Sequence, residues 1–161
     1  KVYHPALQSE ADHELVRSLG LEGKIIRHHL DELPSDASVT HVNSIGLPDA
    51  VESIRHSIRD EPHLIAYSGL AREGAEWHWL DVHHCNASKG QAIRTIKAQM
   101  GFKRVICFGD SDNDISMFEA SDESYAPQNA NDTIKSAATA VIGHHNEDGV
   151  ANFLRERFGL D

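Results

Sequence analysis

The feature that most constrains this chain is the short apolar run Val105-Ile106-Cys107-Phe108, which leads directly into Gly109-Asp110 and an acidic loop. A wholly apolar run of that length predicts a strand buried on both faces, the kind found in parallel sheets. Helical patterns flank it. Ser88 opens the one before it, with Gln91 three positions later as a capping-box partner. Ala92, Ile93, Ile96 and Met100 mark its apolar face, and Gly101 stops it. After the run come a short helix over residues 115–120, a strand over 124–126 and a helix over 132–138. A strand over 140–142 is next, and Val150, Phe153, Leu154 and Phe158 mark a last amphipathic helix. This repetition of helix, strand and loop is the alternation of a parallel α/β sheet.

Residues 1–85 read differently. A helix is predicted over residues 10–19, ending at Gly20, and strands over 39–43, 64–67 and 77–82. Between them Pro48 starts a helix to residue 59, with Val51, Ile54 and Ile58 on one face. Residues 69–74 read as a turn. The expectation is two parts: residues 1–85 as an open-faced α+β unit, and residues 86–161 as part of an α/β unit.

Composition narrows the function. The chain has 25 acidic and 15 basic residues, a net charge of -10. That balance argues against a nucleic-acid partner, because such binders need cations to displace counterions from phosphates. No run approaches the roughly 20 apolar residues of a membrane span, so no membrane partner is expected. Two cysteines, Cys85 and Cys107, do not make a disulfide framework, and a cytoplasmic setting is the simple expectation. Among twelve histidines, the pairs His28-His29, His83-His84 and His144-His145 lack the spacing of a helical zinc motif. Adjacent histidines on an extended segment point to opposite sides, so His83-His84 reads as loop, not as a metal site. His144-His145 reads as a solvated loop at a site rim.

The chemistry is concentrated in Gly109-Asp110-Ser111-Asp112-Asn113-Asp114. It sits at the carboxyl end of the buried strand, where open α/β sheets place ligands. Three carboxylates in five residues repel one another unless a cation neutralises them, and hard oxygen donors favour Mg²⁺. Taken alone, the segment fits a solvated acidic turn equally well. Lys89 adds a second signal. A lysine at a helix start opposes the helix dipole, which makes sense if its ammonium must meet an anion. Gly90 beside it leaves room for close approach.

Together these pieces resemble the C-terminal half of haloacid dehalogenase-type phosphatases, in the Cof-type subgroup with a large α+β cap. Ser88-Lys89-Gly90 is similar to that family's third motif. Gly109 to Asp114, followed by Met117, is similar to its fourth, of the form G-D-x-x-N-D-x-x-M. Asn129-Ala130 and Glu147-Asp148-Gly149-Val150-Ala151 match later signatures. The resemblance covers residues 86–160 well and residues 1–85 only by element pattern. It implies a Rossmann-like α/β core with an inserted α+β cap. It implies Mg²⁺-dependent hydrolysis of a small phosphorylated metabolite such as a sugar phosphate. By the same resemblance, Asp110 ligates Mg²⁺, and Asp114 supports the metal site through water or a hydrogen bond to a ligand. Asn113 helps bind the phosphoryl group, and Lys89 balances its developing charge. Asp112 falls at a variable position. Arg72 and Glu73 are weaker candidates for substrate contact. Trp77 and Trp79, on one face of a strand, are expected to pack in the cap.

The family's nucleophile is the first aspartate of a D-x-D-x-[TV] motif that precedes the cap. No D-x-D occurs in residues 1–85. Asp110-Ser111-Asp112 has that form. Its neighbours Asn113-Asp114-Ile115 and the earlier Lys89 fit the fourth motif instead. The expectation is therefore a truncated chain, inactive by itself. Its exposed sheet edge would be covered by the missing N-terminal segment or by a second copy. The rival reading is a non-catalytic fragment or pseudoenzyme that binds Mg²⁺ or a phosphorylated ligand without turnover. A phosphoryl-transferring mutase of the same superfamily is a third.

Overall fold

The computed structural model describes residues 2–4, 7, 9–18, 20, 25–27, 33–71 and 76–160. The chain divides into two compact units, residues 1–84 and 85–161.

In the first unit, β1 (Val2–His4) and β2 (Ile25–Arg27) pair in parallel, with helix α1 (Glu10–Ser18) between them in sequence. Residues 28 and 29, one of the histidine pairs, lie outside the described residues. A three-stranded antiparallel sheet comes next, made of β3 (His41–Gly46), β4 (Leu64–Leu70) and β5 (His78–His84), with β5 in the centre. Its register runs from His41↔His83 to Gly46↔His78 on one side and from Leu64↔His84 to Leu70↔His78 on the other. Helix α2 (Pro48–Ile58) starts with a proline, whose missing N–H costs nothing in a first turn. It covers one face of the sheet. Val51 packs there with Leu80 and Val82, and Ile58 and Ala66 close the cluster. The two-residue period of β5 puts Leu80 and Val82 towards α2, and Trp79, Asp81 and His83 on the opposite face.

Several expectations change here. Ile54, placed on the buried face of α2, is 42% exposed. Val39 precedes β3 and is exposed. The turn expected from residue 69 gives way to strand as far as Leu70. Tertiary packing explains this: the Trp79 ring lies over the Gly69 backbone, and the hairpin closes where Ala71 N–H donates to the Trp77 carbonyl at 2.8 Å. Trp77 lies just before β5 rather than within it. Arg72 and Glu73 lie outside the described residues. His83-His84 is not loop but the end of β5, because both residues find ladder partners. They do point to opposite faces. The His83 ring lies 5.7 Å from that of Tyr67, whereas His84 stacks on His63 at 5.6 Å.

In the second unit, α3 (Lys89–Met100) is capped by Ser88, whose Oγ accepts from Gln91 N–H at 3.3 Å, and it ends at Gly101. Strands β6 (Ile106–Phe108), β7 (Glu123–Pro127) and β8 (Ala140–Ile142) form a parallel sheet in that order. Helix α4 (Ile115–Ala120) lies between β6 and β7 in sequence, α5 (Asp132–Ala137) between β7 and β8, and α6 (Gly149–Phe158) ends the unit. Cys107, Phe118, Ala126, Ala130 and Ile134 make the core on one face, so Cys107 is the buried apolar residue its strand predicts. On the other face Phe153 of α6 meets Tyr125 at 4.2 Å and Phe108 at 5.7 Å. The apolar face expected of α3 is not a buried one. Ile96 and Met100 are 49% and 65% exposed. The first turn of α3 packs against α4, leaving these later residues at the surface.

Candidate active site

Three parallel strands deliver their following loops to one edge of the sheet. After β6 comes the acidic loop, after β7 the turn holding Asn129, and after β8 the segment Gly143-His144-His145. The last two are joined directly, since Asn129 Oδ1 accepts from His145 N–H at 3.2 Å. His144 Nδ1 accepts from Asn146 N–H at 3.1 Å, which turns the chain into the short 3-10 segment His145–Glu147.

The acidic loop is organised around Asp114. Its side chain is only 5% exposed. Oδ2 accepts two backbone N–H groups, from Asp110 at 2.9 Å and Ser111 at 3.1 Å. Oδ1 receives the Lys89 ammonium at 2.5 Å. This carboxylate folds back beneath its own loop, which explains Gly109. A β-carbon there would stand 2.5 Å from Asp114 Cβ and 2.7 Å from its Cγ, so only glycine fits. Buried charge is tolerated because donors reach both oxygens and the charge is opposed.

Lys89 reaches this carboxylate across 25 residues of sequence. Its Nζ also lies 3.3 Å from Asn113 Oδ1. Asn113 therefore turns its amide oxygen to the lysine and keeps its NH₂ as the donating end. Asp110 differs from Asp114 in being exposed. Its Oδ1 accepts from Ser111 Oγ at 3.2 Å. The structure thus gathers Lys89, Asp110, Asn113 and Asp114 in one place within the second unit. Asp112 is exposed and begins the 3-10 turn Asp112–Asp114.

The donor set suits a hard divalent cation. Asp110 presents an exposed carboxylate at the sheet edge, whereas Asp114 is already engaged by N–H donors at both oxygens. Asp110 would then be a direct ligand and Asp114 its support from behind, through the Asp110 backbone N–H. Sequence reasoning missed Ser111 and Ser116. The latter's Oγ accepts from Gly90 N–H at 3.2 Å, a contact that nothing local in the sequence announces.

The family model of haloacid dehalogenase-like hydrolases matches residues 21–154. The chain belongs to the haloacid dehalogenase-like hydrolases. A Haemophilus influenzae relative is 35% identical over 138 residues, covering 84% of this chain and 50% of its own length. A Bacillus subtilis relative, 5-amino-6-(5-phospho-D-ribitylamino)uracil phosphatase YitU, is 35% identical over 91 residues, 55% of this chain and 34% of its own. A solved structure from Thermotoga maritima superposes with a TM-score of 0.68 at 25% identity, covering 96% of this chain and 57% of that one. The chain thus spans about half the length of the first relatives it matches. The resemblance to the Cof-type members, and with it the α/β class with a parallel sheet, holds for this chain. Among the described residues no helix is long and apolar enough to cross a membrane.

Proposed function

We propose that the protein containing this chain is a phosphomonoester hydrolase that depends on Mg²⁺. Its substrate would be a small phosphorylated metabolite such as a sugar phosphate. One observation carries the reading: the Lys89 ammonium meets Asp114 Oδ1 and Asn113 Oδ1 at the sheet edge that also presents the exposed Asp110 carboxylate. With a divalent cation on the open carboxylate, the ammonium and the amide NH₂ would suit a phosphoryl dianion. Residues 1–84 would be the cap and 85–161 the later part of the core.

Asp110 would hold Mg²⁺, which when bound neutralises charge on the phosphoryl oxygens. Asp114 holds the Lys89 ammonium in place and fixes the Asp110 backbone. Lys89 balances charge that develops as the phosphoryl group transfers, and its reach is already set before substrate arrives. Asn113 donates from its NH₂ to the phosphoryl group or its neighbours. The attacking aspartate would come from a D-x-D motif of the kind absent from residues 1–85, forming an aspartyl-phosphate that water hydrolyses. By itself the chain would bind without turnover, the second reading that this absence favours. The relative acting on a phosphorylated ribitylamino compound supports a sugar-like substrate.

The test is phosphate release from a panel of sugar phosphates by the full-length protein with Mg²⁺. Asp110→Ala and Lys89→Ala should each lower kcat by about 100-fold or more. Near-normal rates in both variants sink the reading.

A further inference from the structure

We infer that Ser116 is a positioning residue for Lys89, acting through the Gly90 backbone; the inference rests on the phosphatase reading above. Lys89 is a long side chain on the first residue of a helix, half exposed, and such a chain needs both ends fixed to hold one geometry. Its ammonium end is fixed by Asp114 and Asn113. Its backbone end is fixed by Ser116. The first turn of α3 has N–H groups without helical partners. Gln91 N–H goes to Ser88 Oγ, and Gly90 N–H goes to Ser116 Oγ at 3.2 Å.

Three other helical hydroxyls sharpen the point. Ser57, Thr95 and Ser136 each donate to a carbonyl of their own helix, as helical hydroxyls commonly do. Ser116 instead accepts from a different helix, α3. The approach is as close as backbone allows. A β-carbon on Gly90 would lie 2.1 Å from the Ser116 carbonyl oxygen and 3.0 Å from Ser116 Cβ. The segment from Asn113 to Ser116 therefore grips both ends of the same lysine, and this clamp ties the ammonium's place to the acidic loop.

The consequence is kinetic. Loss of the Ser116 hydroxyl leaves the Gly90 N–H unpaired and lets the start of α3 drift from α4. An ammonium displaced by a fraction of an ångström stabilises transferring charge less well, while ground-state substrate binding hardly changes.

The experiment uses the full-length protein with Mg²⁺ and its best sugar-phosphate substrate. Ser116→Ala should lower kcat about five- to tenfold with KM within about twofold, and Ser116→Thr, which keeps the hydroxyl, should recover most of the rate. In a Lys89→Ala background Ser116→Ala should cost nothing further, because the residue acts through the lysine. The inference is overturned if Ser116→Ala leaves kcat unchanged while Lys89→Ala is severely impaired. It is overturned equally if Ser116→Ala costs the same with or without Lys89. A normal rate in Lys89→Ala alone also overturns the inference, whereas normal rates in both Lys89→Ala and Asp110→Ala remove the phosphatase reading itself, which separates the two failures.

Discussion

Both units carry a three-stranded sheet with helix packed on a face, yet they place their polar groups differently. In the antiparallel sheet of the first unit, alternation spreads polar and aromatic groups across a face. Trp79, Asp81 and His83 share one side of β5, with His41 and Asn43 beside them on β3; Asn43 donates to Asp81, and His41 Nε2 lies 3.3 Å from it. In the parallel sheet of the second unit the strands are three to five residues long, and β6 and β8 are wholly apolar while β7 opens on Glu123 and Ser124. Their chemistry is displaced to the loops, which leave from one edge. A face offers many weak contacts, whereas an edge brings a few charged groups to one point. Lys89, Asp110, Asn113 and Asp114 converge because the one loop after β6 carries three of them and the packing of α3 on α4 brings in the fourth.

The largest effect expected from breaking this arrangement belongs to Gly109. Gly109→Ala forces a β-carbon into Asp114 and should abolish phosphate release, a loss of more than about 100-fold. By contrast, Gly69→Ala in the first unit meets the Trp79 ring, a side chain that has somewhere to go, and should leave kcat within about tenfold. Equal losses would mean that the face matters to turnover as much as the edge.

Next in size come the two cores. Ile134 and Leu80 are the largest fully buried side chains described, one in each unit. Ile134→Ala and Leu80→Ala should each cost about 2–5 kcal/mol of stability in urea unfolding. A cost below about 1 kcal/mol at either position would show that its core tolerates loss and does not hold its sheet.

The smallest effect tests an ion pair away from the site. The Lys97 ammonium and the Val105 N–H hold the Asp122 carboxyl below its ordinary range. A carboxyl depressed in the folded state adds stability above its unfolded pKa and loses it as pH falls through the lowered value. Asp122→Asn should therefore lower Tm by a few degrees at most at pH 7, since the pair is solvent-accessible. The gap should close on acidification below the ordinary carboxylate range, roughly pH 3 to 4. A gap that persists in acid would assign the effect to packing.

Much of this was legible from residues alone. Ser88 and Gly101 bounded α3, and the apolar run from Val105 announced β6, because caps and two-faced burial are local properties. The acidic loop and Lys89 stood out for the same reason, as charges where local energetics disfavour them. What failed was decided by partners. His83 and His84 became strand by pairing with β3 and β4, and Gly69 stayed in strand beneath the Trp79 ring. Ile96 and Met100 kept their helical spacing but found no cover among the described residues.

Sequence by itself thus determined the helices, the parallel strands of the second unit and the inventory of charged groups, since these depend on neighbours a few residues away; β1 and β2, which it did not announce, rest on their pairing with each other. Only the tertiary structure decided that Asp114 turns inward while Asp110 stays open, and that Ser116 grips the start of α3. Those contacts join residues up to 26 positions apart. The fold of the loop after β6 and the close packing of α3 on α4 create them, and neither leaves a periodic trace in the chain.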